Sequence, residues 1–323
     1  MLPSFRYVRP RTVAEAVKAL AAPGARAHAG GTDLLGCLRD GVFDAKTVVS
    51  LSGLAELTGI SATKDGGLRI GALTTLAEIA RHPGIAKGWP ALAGGAASAA
   101  SPQLRNQGTL GGNLCQRPRC WYFRGDFRCA RKGGDTCFAA SGENAYHALF
   151  GGSGCWVVHP SDTASPLVAL QATVQVTGPK GTRSLPVEKL FVLPAVDLTR
   201  ETVLAPGELI TEVRLPAPLP GGKGLYRKVR ARGAWDFALG GVALALSGKD
   251  GKVASARVVL SGVAPVPWRV PEVEKLLAGK ALDAKLAAEA AGLAVKGAEP
   301  MDGNGYKVAL VKGAVEEALL ALA

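Results

Sequence analysis

Residues 101–114 run SPQLRNQGTLGGNL. Gly108, Gly111 and Gly112 interleave with Thr109 and Asn113, so the segment offers backbone amides and two small polar side chains to something that approaches the main chain closely. An ordinary tight loop has the same composition, and the segment gains weight from its surroundings. Upstream, AGGTDLLG at 29–36 follows a strand-like ARAHA and opens a short helix stopped by Gly41. Two glycines after a strand let the backbone bend sharply and expose successive N–H groups, while Thr32 adds a hydroxyl and the helix start a partial positive charge. A plain glycine turn between strand and helix is equally compatible. Neither segment is G-x-G-x-x-G and no Walker lysine accompanies them, which argues against a Rossmann nicotinamide site or a nucleoside triphosphate site. Two phosphate-type loops in one chain favour a long, two-ended ligand such as FAD.

Downstream, NLCQRPRCWYFRGDFRCARKGGDTCFAASGENAYHALFGGSGC (113–155) carries five of the six cysteines. Cys115, Cys120, Cys129, Cys137 and Cys155 are separated by four, eight, seven and seventeen residues, without the paired C-x-x-C knuckles of structural zinc. A disulfide framework does not suit a chain this large without an export signal. An iron–sulfur cluster suits irregularly spaced thiols on a long loop better than isolated buried cysteines do. Between Arg117 and Lys132 six basic residues face one acidic residue, Asp126. Such surroundings are expected to lower thiol pKa values and to offset the charge of a four-thiolate cluster. Cys37, on the short helix after the first glycine loop, is expected to be a buried packing residue.

Working outward, the first fifty residues give a β-α-β-α-β pattern: FRYVRP, a helix with a Thr12/Glu15 capping box, ARAHA, the short helix, and TVVSL. LRIGA follows, with a second capping box at Thr75 and Glu78. From about 155 to 216 the pattern is short β segments, CWVVH, ATVQVTG, TRSLP and ELITEVRLP, and PAPLPGGKG at 216–224 is a joint. Beyond it, three strand-like runs precede three helical ones. With 48% hydrophobic residues the chain can bury substantial cores, and no run of about 18 apolar residues exists. The net charge of +12 is scattered and brings no nucleic-acid-binding signature, so nucleic acid is not expected as a partner. The N-terminus lacks the apolar core of an export signal. The chain is expected in the cytoplasm, or in the periplasm if exported folded with a signal-bearing partner subunit.

AGGTDLL, the S-P-Q-x-R-N-x-G-T-x-G-G-N-L run, HPSD at 159–162, ELITEVRLP, YRKVRAR and VAPVPWR together resemble the FAD-binding subunit of the molybdenum hydroxylases, the xanthine dehydrogenase family. The resemblance covers essentially the whole chain. The cysteine segment, with CWYFR at 120–124, narrows it to the subset with an extra 4Fe-4S cluster, similar to the flavoprotein subunits of periplasmic aldehyde oxidoreductases. The implied fold is α+β: a two-lobed FAD-binding domain of the vanillyl-alcohol-oxidase (PCMH) type over 1–218, then a smaller α+β domain of the CO dehydrogenase flavoprotein C-terminal type over 222–323. The lobes would span about 1–55 and 56–218, with the cysteine insertion at about 115–155.

The resemblance also implies roles. Ala29, Gly30, Gly31, Thr32, Asp33, Leu34 and Leu35 would hold the FAD pyrophosphate, with Thr109, Gly112 and Asn113 as the second loop. Asp162 would lie toward the ribityl or isoalloxazine end and Lys228 near the flavin ring. As alternatives, Asp162 could cap the following helix and Lys228 could be a solvated strand residue. Cys120, Cys129, Cys137 and Cys155 are assigned as cluster ligands by similarity, with Cys115 a free thiol beside the flavin loop and the main competitor of Cys120. His147 and His159 would stand outside the ligand set. No acid/base or nucleophile pair stands out, so no catalytic residue is assigned. The expected function is electron transfer, from a large molybdenum-cofactor subunit and a small 2Fe-2S subunit through FAD to an external acceptor, in a heterotrimer or its dimer. The competing readings are a stand-alone FAD oxidase of this fold and a zinc-stabilised binding protein.

Overall fold

The computed structural model describes residues 1–323. Its first lobe is a parallel sheet of β1 (Arg6–Val8), β2 (Ala25–His28) and β3 (Thr47–Ser50), in the order β1-β3-β2. Central β3 is buried along its whole length, as a strand covered on both faces must be. Thr12 caps the helix Val13–Leu20 through the N–H of Glu15, but the Glu15 carboxylate accepts from the N–H of Arg11 rather than from that of Thr12, so the expected reciprocal box is only half formed. At Thr75 and Glu78 both halves are present.

The second lobe is an antiparallel sheet of β4 (Ile60–Ala62), β5 (Leu68–Gly71), β6 (Thr173–Gly178), β7 (Gly181–Pro186) and β8 (Leu209–Leu215), in the order β4-β5-β8-β6-β7. Val174 and Val176 alternate into its core. A register shift between Gln175 and Val176 accommodates the spacing from Ile210 to Val213 on β8. Helices between Leu76 and Ser98, and Ala164–Ala169, pack on it.

CWVVH (155–159) is not a strand. Its alternating burial is real, with Cys155, Val157 and His159 inward, but its backbone bonds to single positions: the Trp156 carbonyl accepts from Ala148 and the His159 N–H donates to Ala264. The whole insertion lacks a named strand and is held by short helical turns and an aromatic cluster of Tyr122, Phe127 and Phe138.

The C-terminal domain follows the joint at 216–224 with β9 (Lys223–Val229), β10 (Gly240–Lys249), β11 (Lys252–Ser261) and β12 (Trp268–Arg269), antiparallel in the order β12-β11-β10-β9. β10 is buried on both faces. Val242, Leu244 and Leu246 pack on the three C-terminal helices, whereas Ala243 and Ala245 join the core of the second lobe, where small side chains let its helices come close. The two domains therefore share a sheet as a common wall.

The last helix, Tyr306–Leu320, reaches back to the insertion. Lys307, with no exposed surface, donates to the carbonyls of His147 and Gly262 at 2.8 and 2.6 Å, and Asn304 donates to those of His147 and Ala148. No helix of the structure is long and apolar enough to cross a membrane.

Candidate functional site

A cleft of about 470 Å³ lies between the two lobes and is edged by the C-terminal domain, a size within the range of sites for cofactors and drug-sized ligands. Its floor is bare backbone. A β-carbon on Gly30 would overlap the carbonyl oxygen of Gln107, so the loops at 29–36 and 101–114 touch where only glycine fits. Gly31 has φ +72°, the left-handed region, and a β-carbon there would come within 2.7 Å of His28 Nε2. The Thr109 hydroxyl caps the helix Leu110–Leu114 by accepting the N–H of Gly112 at 3.3 Å. The Asn113 side-chain oxygen accepts from the hydroxyls of Ser161 and Thr163, which ties this loop to HPSD.

All the residues proposed for flavin line the cleft except Leu35 and Lys228. Lys228 stands one residue behind it, donating to Asp162 at 2.8 Å and to the Ser98 carbonyl. It is a buried ion-pair partner and not a solvated strand residue. Asp162 also accepts from Tyr226 at 2.8 Å, and its helix is capped by the Ser161 hydroxyl instead. Burial raises the Asp162 pKa, opposed by the Lys228 charge and the two hydrogen bonds.

Asp33 is committed elsewhere than to the cleft floor. One carboxylate oxygen takes the Arg117 N–H at 2.7 Å, and the other takes guanidinium N–H groups of Arg119 and Arg124, each at 2.7 Å. Sequence reasoning treated these arginines only as charge around the cysteines, yet Arg117 and Arg119 line the cleft, with Arg26, Phe43 and Phe237. Arg26 and Arg117 both lie on the Phe43 ring, and Arg119 on Phe237. The loop carrying Phe237 is anchored by the Trp235 N–H, which donates to the Ala100 carbonyl. Nothing local in the sequence marks these residues, because they reach the cleft from separate elements.

Cys120, Cys129, Cys137 and Cys155 line a second, smaller pocket inside the insertion, together with His147 and Arg131. Cys115 is absent from that pocket and lines the cleft. Backbone N–H groups of Tyr122 and Phe123 point at Cys120, and that of Val157 at Cys155. His147 Nε2 is 3.3 Å from Cys120 Sγ, and Arg131 reaches within 3.9 Å of Cys155 Sγ. Four thiols and these N–H donors are thus gathered in one apolar pocket. No three His, Cys, Asp or Glu side chains converge closely enough to hold a single metal ion.

The expectation of lowered thiol pKa values is corrected. Burial pushes Cys120 up to about 11 and raises Cys155, and Cys115 rises to about 12. Burial is the first cause, and the arginines do not offset it because they spend their charge elsewhere: Arg119 and Arg124 on Asp33, Arg117 and Arg131 on Glu201, and only Arg131 partly on a pocket cysteine. Cys37 has no exposed surface, packs with Phe123 and Cys129, and takes an N–H of Arg124 at 2.8 Å.

Compared with known proteins, residues 3–218 match the family described as the FAD binding domain in molybdopterin dehydrogenase, and residues 225–322 match the CO dehydrogenase flavoprotein C-terminal domain. The chain is 41% identical over 279 residues to the aldehyde oxidoreductase FAD-binding subunit PaoB of Escherichia coli, covering 85% of this chain and 86% of that protein. It is 29% identical to the carbon monoxide dehydrogenase medium chain of Afipia carboxidovorans, over 94% of this chain and 91% of that one. Among solved structures, a Cu,Mo-CO dehydrogenase superposes with a TM-score of 0.79 at 26% identity, covering 99% of this chain and 98% of that chain. Quinoline 2-oxidoreductase from Pseudomonas putida 86 gives 0.77 at 26% identity, over 99% and 97%.

Proposed function

The chain belongs to the family of FAD binding domains of molybdopterin dehydrogenases, and from that premise we propose that it is an electron-transfer subunit, with FAD in the cleft and a 4Fe-4S cluster in the cysteine pocket. It is an oxidoreductase subunit of the FAD-binding, medium type, similar to those of aldehyde oxidoreductases. The observation that carries the proposal is the pairing of two separate sites in one chain, a backbone-floored cleft and a four-thiol pocket. FAD, when bound, supplies the exchange between one-electron and two-electron carriers.

The chain's own residues bind and orient. The Gly30–Gly31 turn gives pyrophosphate oxygens access to backbone N–H groups, with Arg117 and Arg119 at the rim as counter-charge. Asp162, braced by Lys228 and Tyr226, gives the other end a fixed carboxylate, and the loop at Trp235–Phe237 adds two aromatic rings to the cleft's edge. Cys120, Cys129, Cys137 and Cys155 would hold the cluster, with Arg131 offsetting its charge. The partners proposed are a large molybdenum-cofactor subunit, a small 2Fe-2S subunit and an external acceptor. The relatives' names support this, describing medium chains and FAD-binding subunits. The compartment proposed is the cytoplasm, or the periplasm through a signal-bearing partner.

The test is the anaerobic absorbance spectrum of the purified chain, with flavin, iron and zinc assayed on the same sample. About one FAD and about four iron per chain are expected. Zinc without flavin would sink the proposal, and FAD without iron would reduce it to the flavin half.

A further inference from the structure

The insertion does more than house cysteines, because its arginines grip the first flavin loop. Asp33 stands at the N-cap of the helix Leu34–Arg39 yet makes no capping bond there. Its carboxylate takes three donors from the insertion, the Arg117 N–H, Arg119 and Arg124, and from its own helix only the Cys37 thiol at 4.0 Å. Arg124 spends its remaining N–H groups on the Pro118 carbonyl at 2.7 Å and on Cys37 Sγ at 2.8 Å. One side chain thus ties together the start of the insertion, Asp33 and the middle of the helix that follows the glycine turn.

Two further ties run from this grip to the cysteines. Cys37, on that helix, packs on Phe123 and Cys129, both of which line the cysteine pocket. Arg117 pairs with Glu201 at 2.7 Å, Glu201 pairs with Arg131 at 2.9 Å, and Arg131 lies 3.9 Å from Cys155 Sγ. Arg131 is almost fully buried and also donates to the carbonyls of Leu198 and Arg200. Four guanidinium groups (Arg117, Arg119, Arg124, Arg131) share two carboxylates (Asp33, Glu201), so the network is net positive. Arg117 and Arg119 of this network line the cleft, on the side where a pyrophosphate diester would bring negative charge.

We propose that Arg124 is a positioning residue for the dinucleotide loop, acting through Asp33, so that what fills the cysteine pocket and how tightly the cleft holds FAD are thermodynamically coupled. This rests on the reading of the two sites given above. A group held between Cys120 and Cys129 would stiffen the segment that carries Arg124, and a stiffer grip on Asp33 would keep the Gly30–Gly31 turn open to the pyrophosphate. Linkage makes the effect reciprocal: bound FAD holds the cluster more firmly, by the same factor.

The experiment uses the full chain purified anaerobically. FAD dissociation constants are measured on the iron-loaded form and on the form stripped with an iron chelator, in the wild type, Arg124→Gln and Arg124→Lys. Stripping should weaken FAD binding of the wild type by about tenfold, within the usual range for coupled sites. Arg124→Gln should bind FAD more weakly at the outset and lose most of the dependence on iron, and Arg124→Lys should recover part of both. If the stripped or Gln form does not stay folded, the reciprocal measurement decides: the rate at which the loaded wild type loses iron to the chelator, with and without saturating FAD, where protection is expected. FAD affinity within twofold across stripping, or iron loss indifferent to FAD, would overturn the coupling while leaving both cofactor sites standing. A wild type that binds no FAD or no iron would instead overturn the underlying assignment.

Discussion

At Gly30 a β-carbon would overlap the Gln107 carbonyl, so a single methyl group tests whether the two glycine loops form one site. Gly30→Ala should push them apart, weakening FAD binding by at least about tenfold and costing on the order of 1–3 kcal/mol of stability. Equilibrium binding of FAD and urea unfolding measure the two effects. Wild-type flavin affinity in this variant would mean that the loops do not jointly floor the dinucleotide site. AGGTDLL was legible at this scale because a glycine requirement is written in the residue itself. The commitment of Asp33 to the insertion was not legible, since its three donors lie more than eighty positions away, and neither was the place of Lys228 behind the cleft, held by Asp162 from another element.

Between elements, spacing told less than topology. The period-2 burial of CWVVH was visible in its residues, but alternation reports which side chains face inward and not whether a neighbouring strand exists to receive the backbone. The five cysteines were visible as a group, while their division between two sites depends on where the short helix Leu110–Leu114 delivers the chain. It ends at Cys115 on the cleft, and the next turn carries Cys120 into the pocket. That division is testable. Cys129→Ser should lower bound iron from about four toward none per chain, whereas Cys115→Ser should retain it. Iron analysis on anaerobic samples is the measurement. Loss in Cys115→Ser with retention in a Cys120→Ser variant would move the first ligand place to Cys115.

For the molecule as a whole, the stability profile with pH follows from two bases held in the interior. Burial lowers His159 to about 3 and Lys307 to about 7, against ordinary values of 6.5 and 10.5. In each case the unfolded chain binds the proton more readily than the folded one, across about pH 3–6.5 for His159 and about pH 7–10.5 for Lys307. These two bases therefore make unfolding free energy rise with pH through both windows, and both contributions are absent in acid. Asp162 works the other way near its own raised value, where the folded chain holds the extra proton. Above pH 7 the raised thiols of Cys37, Cys115, Cys120 and Cys155 also oppose Lys307, so the clean comparison there is the difference between the wild type and a variant that lacks only Lys307. Lys307 sits where the last helix grips the insertion, with carbonyls as its only recorded partners, so its protonation is a charge placed at the junction of three parts of the fold. From pH 7 to pH 9 the urea midpoint of the wild type should gain on that of Lys307→Met, whatever the absolute slope of either, because the thiols titrate alike in both and the substitution removes only the Lys307 contribution. Equal slopes in the two proteins would mean that Lys307 is solvated in solution and that the C-terminal helix does not clamp the insertion from a dry interior.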